Sequence, residues 1–379
     1  MPVWNLNEQT AMSMRAVVFK GVGSIQVEDR AIPTIQDPRD AIIKVTVAAL
    51  CGSDLHWYRG HQKIPVGFIP GHEFAGVLHE LGNQVTGFNV GDSVVATFTT
   101  QCGECFYCKR RQTSRCVRSF LFGMLNSHGW LSSPTLTRPS GNSAGTTSID
   151  SGQAEYVRVP YASSTLVKRP KEIPEDMLVL MGDIFPTGYF AASRFLKNVP
   201  QEEAKSSTTV VVGCGPVGIC AIAAASRWCD NIIAIDMVLE RLEEARRLGA
   251  KPILLSDDPV SKVLVATDGR GADVVLEVVG NAAAMKLCVE LVRPFGSISS
   301  VGVQTEQLAF DGPSLYAKNV TIAWGRCPVR GIFEEALACL SKVHGKLAFL
   351  CQCRMKLEEA PEAYEIFSAR KVHKVLLSP

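Results

Sequence analysis

Four cysteines crowd into the segment CGECFYCKRRQTSRC, spaced Cys102-x2-Cys105-x2-Cys108-x7-Cys116. Thiolates are soft donors, and four of them on one short lobe suit a closed tetrahedral zinc site. Such a site offers no open position to a substrate, so its expected role is structural. Lys109, Arg110, Arg111 and Arg115 flank the lobe and are expected to favour the thiolate state. An iron–sulfur cluster and free buried thiols are the alternatives.

A second pattern, Gly213-Cys214-Gly215-Pro216-Val217-Gly218, directly follows the apolar run Val210–Val212. A glycine-rich turn between a strand and a helix lets the backbone approach a pyrophosphate. The helix N-terminus behind it then offers N–H groups to the phosphates. Asp236 ends the next apolar run, NIIAID. A carboxylate there takes ribose hydroxyls and repels a 2′-phosphate, which favours NAD over NADP. Without a ligand, the same turn merely closes an ordinary βαβ unit.

A third group is scattered. Cys51-Gly52-Ser53-Asp54-Leu55-His56 and Gly71-His72-Glu73-Phe74-Ala75-Gly76 supply soft and borderline metal donors, carboxylates to support them, and hydroxyl and imidazole groups for proton transfer. Taken singly, Cys51 reads as a buried thiol and His72 as a satisfied histidine. Glycines on both sides mark sharp turns where side chains can converge.

The elements that must position these residues change character along the chain. From Met14 to about Val167, short β-branched runs such as Ala16–Phe19, Ala41–Val47 and Val94–Phe98 predict a barrel-like or sandwich domain. From Thr208, strands at Val210–Val212, Ile232–Asp236, Ile253–Leu255, Val274–Val278 and Ile298–Val301 alternate with helices such as Leu239–Leu248 and Ala282–Val292. That alternation predicts a parallel, doubly wound sheet. A helix around Phe333–Val343 and a mixed tail ending in Val375-Leu376-Leu377 follow. The Ser127–Gly152 stretch, rich in Ser, Thr, Gly and Pro, reads as a long surface loop.

Composition narrows the function. The 379 residues carry 39 Lys+Arg against 37 Asp+Glu, a net charge of +2, so no basic footprint for nucleic acid or anionic membrane exists. The longest apolar run, Val210–Ala225, is broken by three glycines and a proline and is too short to span a bilayer. The N-terminal stretch lacks an apolar signal core, so the cytoplasm is the expected compartment. There the 13 cysteines are expected to stay reduced.

CGSDLH, GHEFAGV, the four-cysteine lobe, GDIFPTGY and GCGPVG stand in the order seen in zinc-dependent medium-chain alcohol dehydrogenases, and the sequence resembles that family from about Met14 onward. The resemblance implies an α/β fold, with a GroES-like β-rich catalytic domain plus a doubly wound Rossmann domain. The boundaries expected are 1–185 for the first part of the catalytic domain, with the zinc lobe at about 98–120 and a loop at 127–152. Residues 186–328 form the NAD-binding domain, and 329–379 return to the catalytic one.

Carried over residue by residue, the family places a catalytic zinc on Cys51, His72 and Asp183, with Glu73 as the competing third ligand. Many members have Cys where Asp183 stands; an Asp there resembles the branch with glutathione-independent formaldehyde dehydrogenases. A proton relay through Ser53 and His56 is implied, with Asp54 supporting His72. Thr187, Gly302 and Val303 are expected at the nicotinamide, Arg241 at the adenosine ribose, and Lys374 at the pyrophosphate, where the alignment could slip to His373. Trp57 and Phe98 match positions flanking the substrate cleft, with a core role as the alternative for each.

The expected activity is hydride transfer between an alcohol or aldehyde and NAD, with two zinc ions per chain. A formaldehyde dehydrogenase or dismutase with tightly held NAD is one alternative, and a non-catalytic zinc- and NAD-binding homologue is another. The expected partners are a small alcohol or aldehyde and further copies of the chain, in a homodimer or homotetramer.

Overall fold

The computed structural model describes residues 12–123, 151–304 and 306–379. Most of the expected Ser127–Gly152 loop lies outside the described residues. The strands in chain order are β1 (Ser13–Gly21), β2 (Ser24–Ala31), β3 (Ala41–Ala49), β4 (Glu73–Leu81), β5 (Ser93–Ala96), β6 (Tyr156–Val159) and β7 (Leu166–Lys168). After these come β8 (Thr208–Val212), β9 (Asn231–Asp236), β10 (Lys251–Leu254), β11 (Ala272–Glu277), β12 (Val292–Ser300), β13 (Thr321–Trp324), β14 (Arg354–Lys356) and β15 (Leu376–Ser378).

The strands from β8 to β13 form one six-stranded sheet in the order β10-β9-β8-β11-β12-β13, parallel throughout. Side chains alternate across a strand, so a sheet covered on both faces needs apolar residues at every position. Val210 and Val212 join one core with Ile233, Ile235 and Val275. Val211, Ile232, Ala234, Val274 and Leu276 join the other, beneath the helices Ile184–Leu196, Pro216–Ala225 and Val329–Leu347. The doubly wound expectation is borne out. The strand β13 lies outside the five expected, because its four residues, with Thr321 and Trp324 exposed, lack an apolar signature.

The first half forms β1-β2 and a larger sheet ordered β14-β15-β3-β4-β5-β7, with β6 also paired to β3. The tail strand β15 runs antiparallel to β3, with Leu376 opposite Ala49. The chain's last strands thus complete the sheet that carries Cys51. Among the described residues, no helix is long and apolar enough to cross a membrane.

Candidate active site

Antiparallel pairing sets Ala49 of β3 opposite Glu73 of β4, so the residues just past each strand end, Cys51 and His72, become neighbours. The Leu50 amide donates to the Val375 carbonyl (3.0 Å), and beyond it the chain turns. Asp54 fixes that turn by accepting from the Cys51 amide at 3.0 Å. Its other oxygen lies 3.5 Å from His72 Nδ1, which leaves Nε2 pointing at the cluster.

Asp183 arrives from the opposite side, between the 3-10 turn Val179–Gly182 and the helix Ile184–Leu196. Gly182 makes this approach close: a Cβ there would meet the Ala96 carbonyl oxygen at 3.3 Å and Glu73 Cα at 3.4 Å. Asp183 makes no side-chain cap bond to its helix, so a capping role does not explain it. One oxygen accepts from the Thr187 hydroxyl at 2.8 Å. The other lies 3.2 Å from His72 Nε2 and 3.5 Å from Cys51 Sγ.

The sulfur, nitrogen and oxygen of Cys51, His72 and Asp183 all lie within 4.8 Å of one another. Burial, then Asp183, pushes the Cys51 thiol up. Burial would depress His72, yet Cys51, Asp54 and Asp183 together hold it well above the ordinary histidine value. A buried cluster with this charge bias fits a divalent cation, and one S, one N and one O donor suit zinc with a fourth position open.

Glu73 does not join this trio. Its side chain and that of Lys374 are fully buried and ion-paired with each other, and Lys374 Nζ also donates to the Leu50 carbonyl at 3.0 Å. Burial opposes the Lys374 charge, but Glu73, Cys51 and Asp183 together outweigh it and raise the pKa of the ammonium. The expectation that Lys374 meets the cofactor pyrophosphate is therefore corrected, because its ammonium is sealed behind the metal-ligand cluster. Glu73 retains one oxygen, Oε1, with no partner among the described residues.

Cys102, Cys105, Cys108 and Cys116 also bring their sulfurs within 4.8 Å of one another. Burial works against the Cys105 thiolate, but donated backbone amides of Cys108 and Val117 bring its pKa down to about 6. The Cys116 sulfur accepts from the amides of Cys102 (3.2 Å) and Arg118 (3.4 Å). Local amides thus favour the Cys105 thiolate, whereas at Cys116 burial outweighs them and pushes the thiol up to about 11. Arg110 stacks over Phe106 at 3.7 Å, and Arg111 donates to the Gly331 carbonyl at 2.6 Å, tying the lobe to the helix Val329–Leu347. The cluster fits a closed zinc site.

In the parallel sheet, the strand order reverses between β8 and β11, where a crevice opens at the carboxyl ends. Gly213 sits there at φ 98°, and a Cβ would meet Val279 at 2.6 Å; at Gly218 a Cβ would strike the Gly213 carbonyl oxygen at 1.9 Å. By contrast, the nearest atom to a Cβ at Gly215 is Arg241 Nη1, 3.8 Å away, so the helix start at Pro216 and Val217 faces open space. Asp236 accepts from the amides of Cys214 (2.6 Å) and Val238 (2.9 Å), and Arg241 lies 4.0 Å from it.

His373 faces the same place. Burial, then Arg241, depresses its pKa to about 4 against the pull of Asp236. Both its ring nitrogens are buried without a partner among the described residues. Unsatisfied donors and acceptors beside an open helix N-terminus fit a dinucleotide.

Sequence reasoning missed Glu277, buried at the end of β11. It accepts from the amides of Val279 (2.8 Å) and Gly280 (2.6 Å), from Ser300 Oγ (2.6 Å) and from Gln304 Nε2 (3.1 Å). It so clamps the loop that packs against Gly302 and Val303. An acid closing an apolar strand, as in NIIAID, was the available signal.

Ser53 Oγ lies 3.4 Å from His72 Nε2. His56 stands apart, its ring centroid 6.2 Å from that of His61, and burial followed by His61 depresses its pKa. Trp57 packs among Phe19, Phe68 and Tyr364 and takes the core role. Phe98 instead stands edge-on to His72, with centroids 6.3 Å apart.

Comparison with known proteins agrees with this geometry. Residues 37–171 match the alcohol dehydrogenase GroES-like domain, and residues 216–342 match the zinc-binding dehydrogenase domain. The chain is 45% identical to zinc-type alcohol dehydrogenase B of Aspergillus flavus, over 97% of this chain and 82% of that one. It is 27% identical to a glutathione-independent formaldehyde dehydrogenase of Pseudomonas aeruginosa, over 96% and 97% of the two chains. The solved alcohol dehydrogenase of Thermus sp. ATN1 superposes with a TM-score of 0.84 at 35% identity, covering 96% of this chain and 99% of that one. The chain belongs to the zinc-dependent medium-chain alcohol dehydrogenase family.

Proposed function

We propose that this oxidoreductase interconverts an alcohol and its carbonyl compound with NAD, using Cys51, His72 and Asp183 as the catalytic zinc ligands. The observation that carries the reading is the convergence of one sulfur, one nitrogen and one oxygen beside the Ser53 hydroxyl. Zinc in that position would supply Lewis acidity, bringing an alcohol hydroxyl within reach of ionisation near neutral pH, and NAD would accept the hydride. Ser53 receives the proton and passes it towards His56, whose depressed pKa keeps it a neutral acceptor. Asp54 holds the His72 tautomer, and Thr187 holds the Asp183 carboxylate. The Gly213–Gly218 turn, Asp236, Arg241 and His373 receive the dinucleotide, and Glu277 shapes the loops at its nicotinamide end. Cys102, Cys105, Cys108 and Cys116 hold the second, structural zinc.

The two sheets support a division near 185 and 328, with 329–379 returning to the first part. Assembly as a homodimer or homotetramer in the cytoplasm belongs to the same proposal. The test is a screen of alcohols and aldehydes by NADH absorbance, with metal analysis on the same sample. Two zincs per chain and NAD-linked turnover are expected, and Asp183→Ala should lose one zinc and activity together. Full zinc and near-native rates in that variant would remove Asp183 from the ligand set. Formaldehyde turnover with copurified NAD and none added would instead favour the dismutase reading.

A further inference from the structure

Two guanidinium groups are half-buried near the sheet end at β13, and they behave differently. Arg194 spends its donors on Ser299 Oγ and on the carbonyls of Ser300, Ala323 and Gly325, at 3.0–3.3 Å. It is a structural clamp. Arg326, two residues beyond β13, has no hydrogen-bond acceptor and no ion-pair partner among the described residues. Burial depresses its pKa to about 10, Arg115 adds to the depression, and Asp183 opposes it. The carboxylate that acts on it thus belongs to the metal-ligand cluster.

Its position is set by Phe98. The Arg326 guanidinium carbon lies 5.9 Å from the Phe98 ring centroid, and that ring stands 6.3 Å from His72. Guanidinium and imidazole are therefore no further apart than those two distances laid end to end. A half-buried guanidinium whose donors have no protein partner among the described residues is open to an anion that enters from solvent. Arg115, exposed and also without a side-chain partner among the described residues, adds positive potential at Arg326.

We propose that Arg326 is a specificity-determining residue of the substrate cleft and that the alcohol oxidised here carries a carboxylate. The proposal rests on the alcohol dehydrogenase reading above. The guanidinium fork matches a planar carboxylate in two parallel hydrogen bonds. Phe98 lines the short apolar span between, and the carbinol end lies at Cys51, His72 and Asp183. In the reaction the C–H and O–H bonds of a hydroxy acid break. Hydride passes to NAD+ and the proton to solvent, leaving an oxo acid and NADH with the carboxylate unchanged.

The experiment compares 6-hydroxyhexanoate with 1,6-hexanediol, which differ at the far end only. Binding to the zinc-loaded, NADH-bound protein is followed by NADH fluorescence, where no turnover occurs; oxidation of both compounds with NAD+ is measured in parallel. The wild type is expected to bind and oxidise the acid at least about 10-fold better than the diol. Arg326→Gln should abolish that preference, so that acid and diol are bound and oxidised alike, and Arg326→Lys should keep part of it. Equal binding of acid and diol by the wild type, or a preference that survives in Arg326→Gln, would overturn the proposal. So would loss of NADH affinity in Arg326→Gln, which would make the residue a cofactor contact. Turnover of the diol without preference for the acid sinks the carboxylate proposal alone. Failure of a zinc- and NADH-loaded protein to oxidise either compound sinks the dehydrogenase reading beneath it.

Discussion

Lys374→Met separates two accounts of the tail. Lys374 and Glu73 are fully buried as a pair, and Nζ also holds the Leu50 carbonyl at the end of β3. Removing the ammonium strands a fully buried carboxylate, one of whose oxygens already lacks a partner among the described residues. Breaking one partner of such a pair costs about 3–5 kcal/mol. For a folding unit of this size that corresponds to a fall in Tm of about 6–20 °C. Thermal unfolding of the zinc-loaded protein, followed by circular dichroism, reads it directly. The double variant Lys374→Met with Glu73→Gln removes both charges and should recover much of the loss, which distinguishes a charge effect from a packing effect. A Tm for Lys374→Met within about 2 °C of the parent, combined with weakened NADH binding, would refute the burial argument and return Lys374 to the cofactor.

Cys105→Ser should drop zinc from two ions to one per chain and lower Tm sharply, because a structural site contributes its binding energy to folding; metal analysis and unfolding check both. Asp236→Ser should erode the preference for NAD over NADP, seen as converging kcat/KM values for the two cofactors, and should also loosen the turn by removing the acceptor for the Cys214 and Val238 amides. His373 titrates near 4 when folded and near the ordinary 6.5 when unfolded, so the unfolded chain takes up the proton first as pH falls. Stability tied to His373 is thus present above about pH 6.5 and is lost as pH falls towards 4. His373→Asn should flatten the decline of Tm over that range, and an unchanged slope would count against it.

Much of the fold was legible because its signals are local. Apolar runs at Val210–Val212 and Ile232–Asp236 with intervening helices specify a parallel sheet, and glycines at 213 and 218 stand where backbone meets backbone. The four-cysteine lobe was legible for the same reason, since its donors lie within one short segment. What escaped depended on contacts distant in sequence. Nothing near Lys374 reveals that β15 lays it against Glu73, three hundred residues earlier. Glu277 escaped because two of its partners are backbone amides, which carry no residue type, and the others, Ser300 and Gln304, stand more than twenty residues away. The strand β13 escaped because an exposed edge strand needs no apolar pattern. Of Lys109, Arg110, Arg111 and Arg115, expected to favour thiolate, Arg110 turns to Phe106 and Arg111 to the Gly331 carbonyl, because nearness in sequence is not nearness of charge.

The placement of β15 between β14 and β3 bears on the order in which the molecule can be assembled during synthesis. The strands of the six-stranded sheet all precede residue 325, so that sheet can close on itself while the ribosome is still at work. The sheet that presents Cys51 and His72 cannot: β3 waits for residues 376–378, and the Glu73 carboxylate waits for Lys374. Its contacts span most of the chain, which makes it the slower part to close. A nascent chain therefore holds a closed parallel sheet before it holds a finished metal site, His373 reaches the nucleotide crevice only with the tail, and any zinc captured earlier sits on ligands whose supporting strand has yet to emerge.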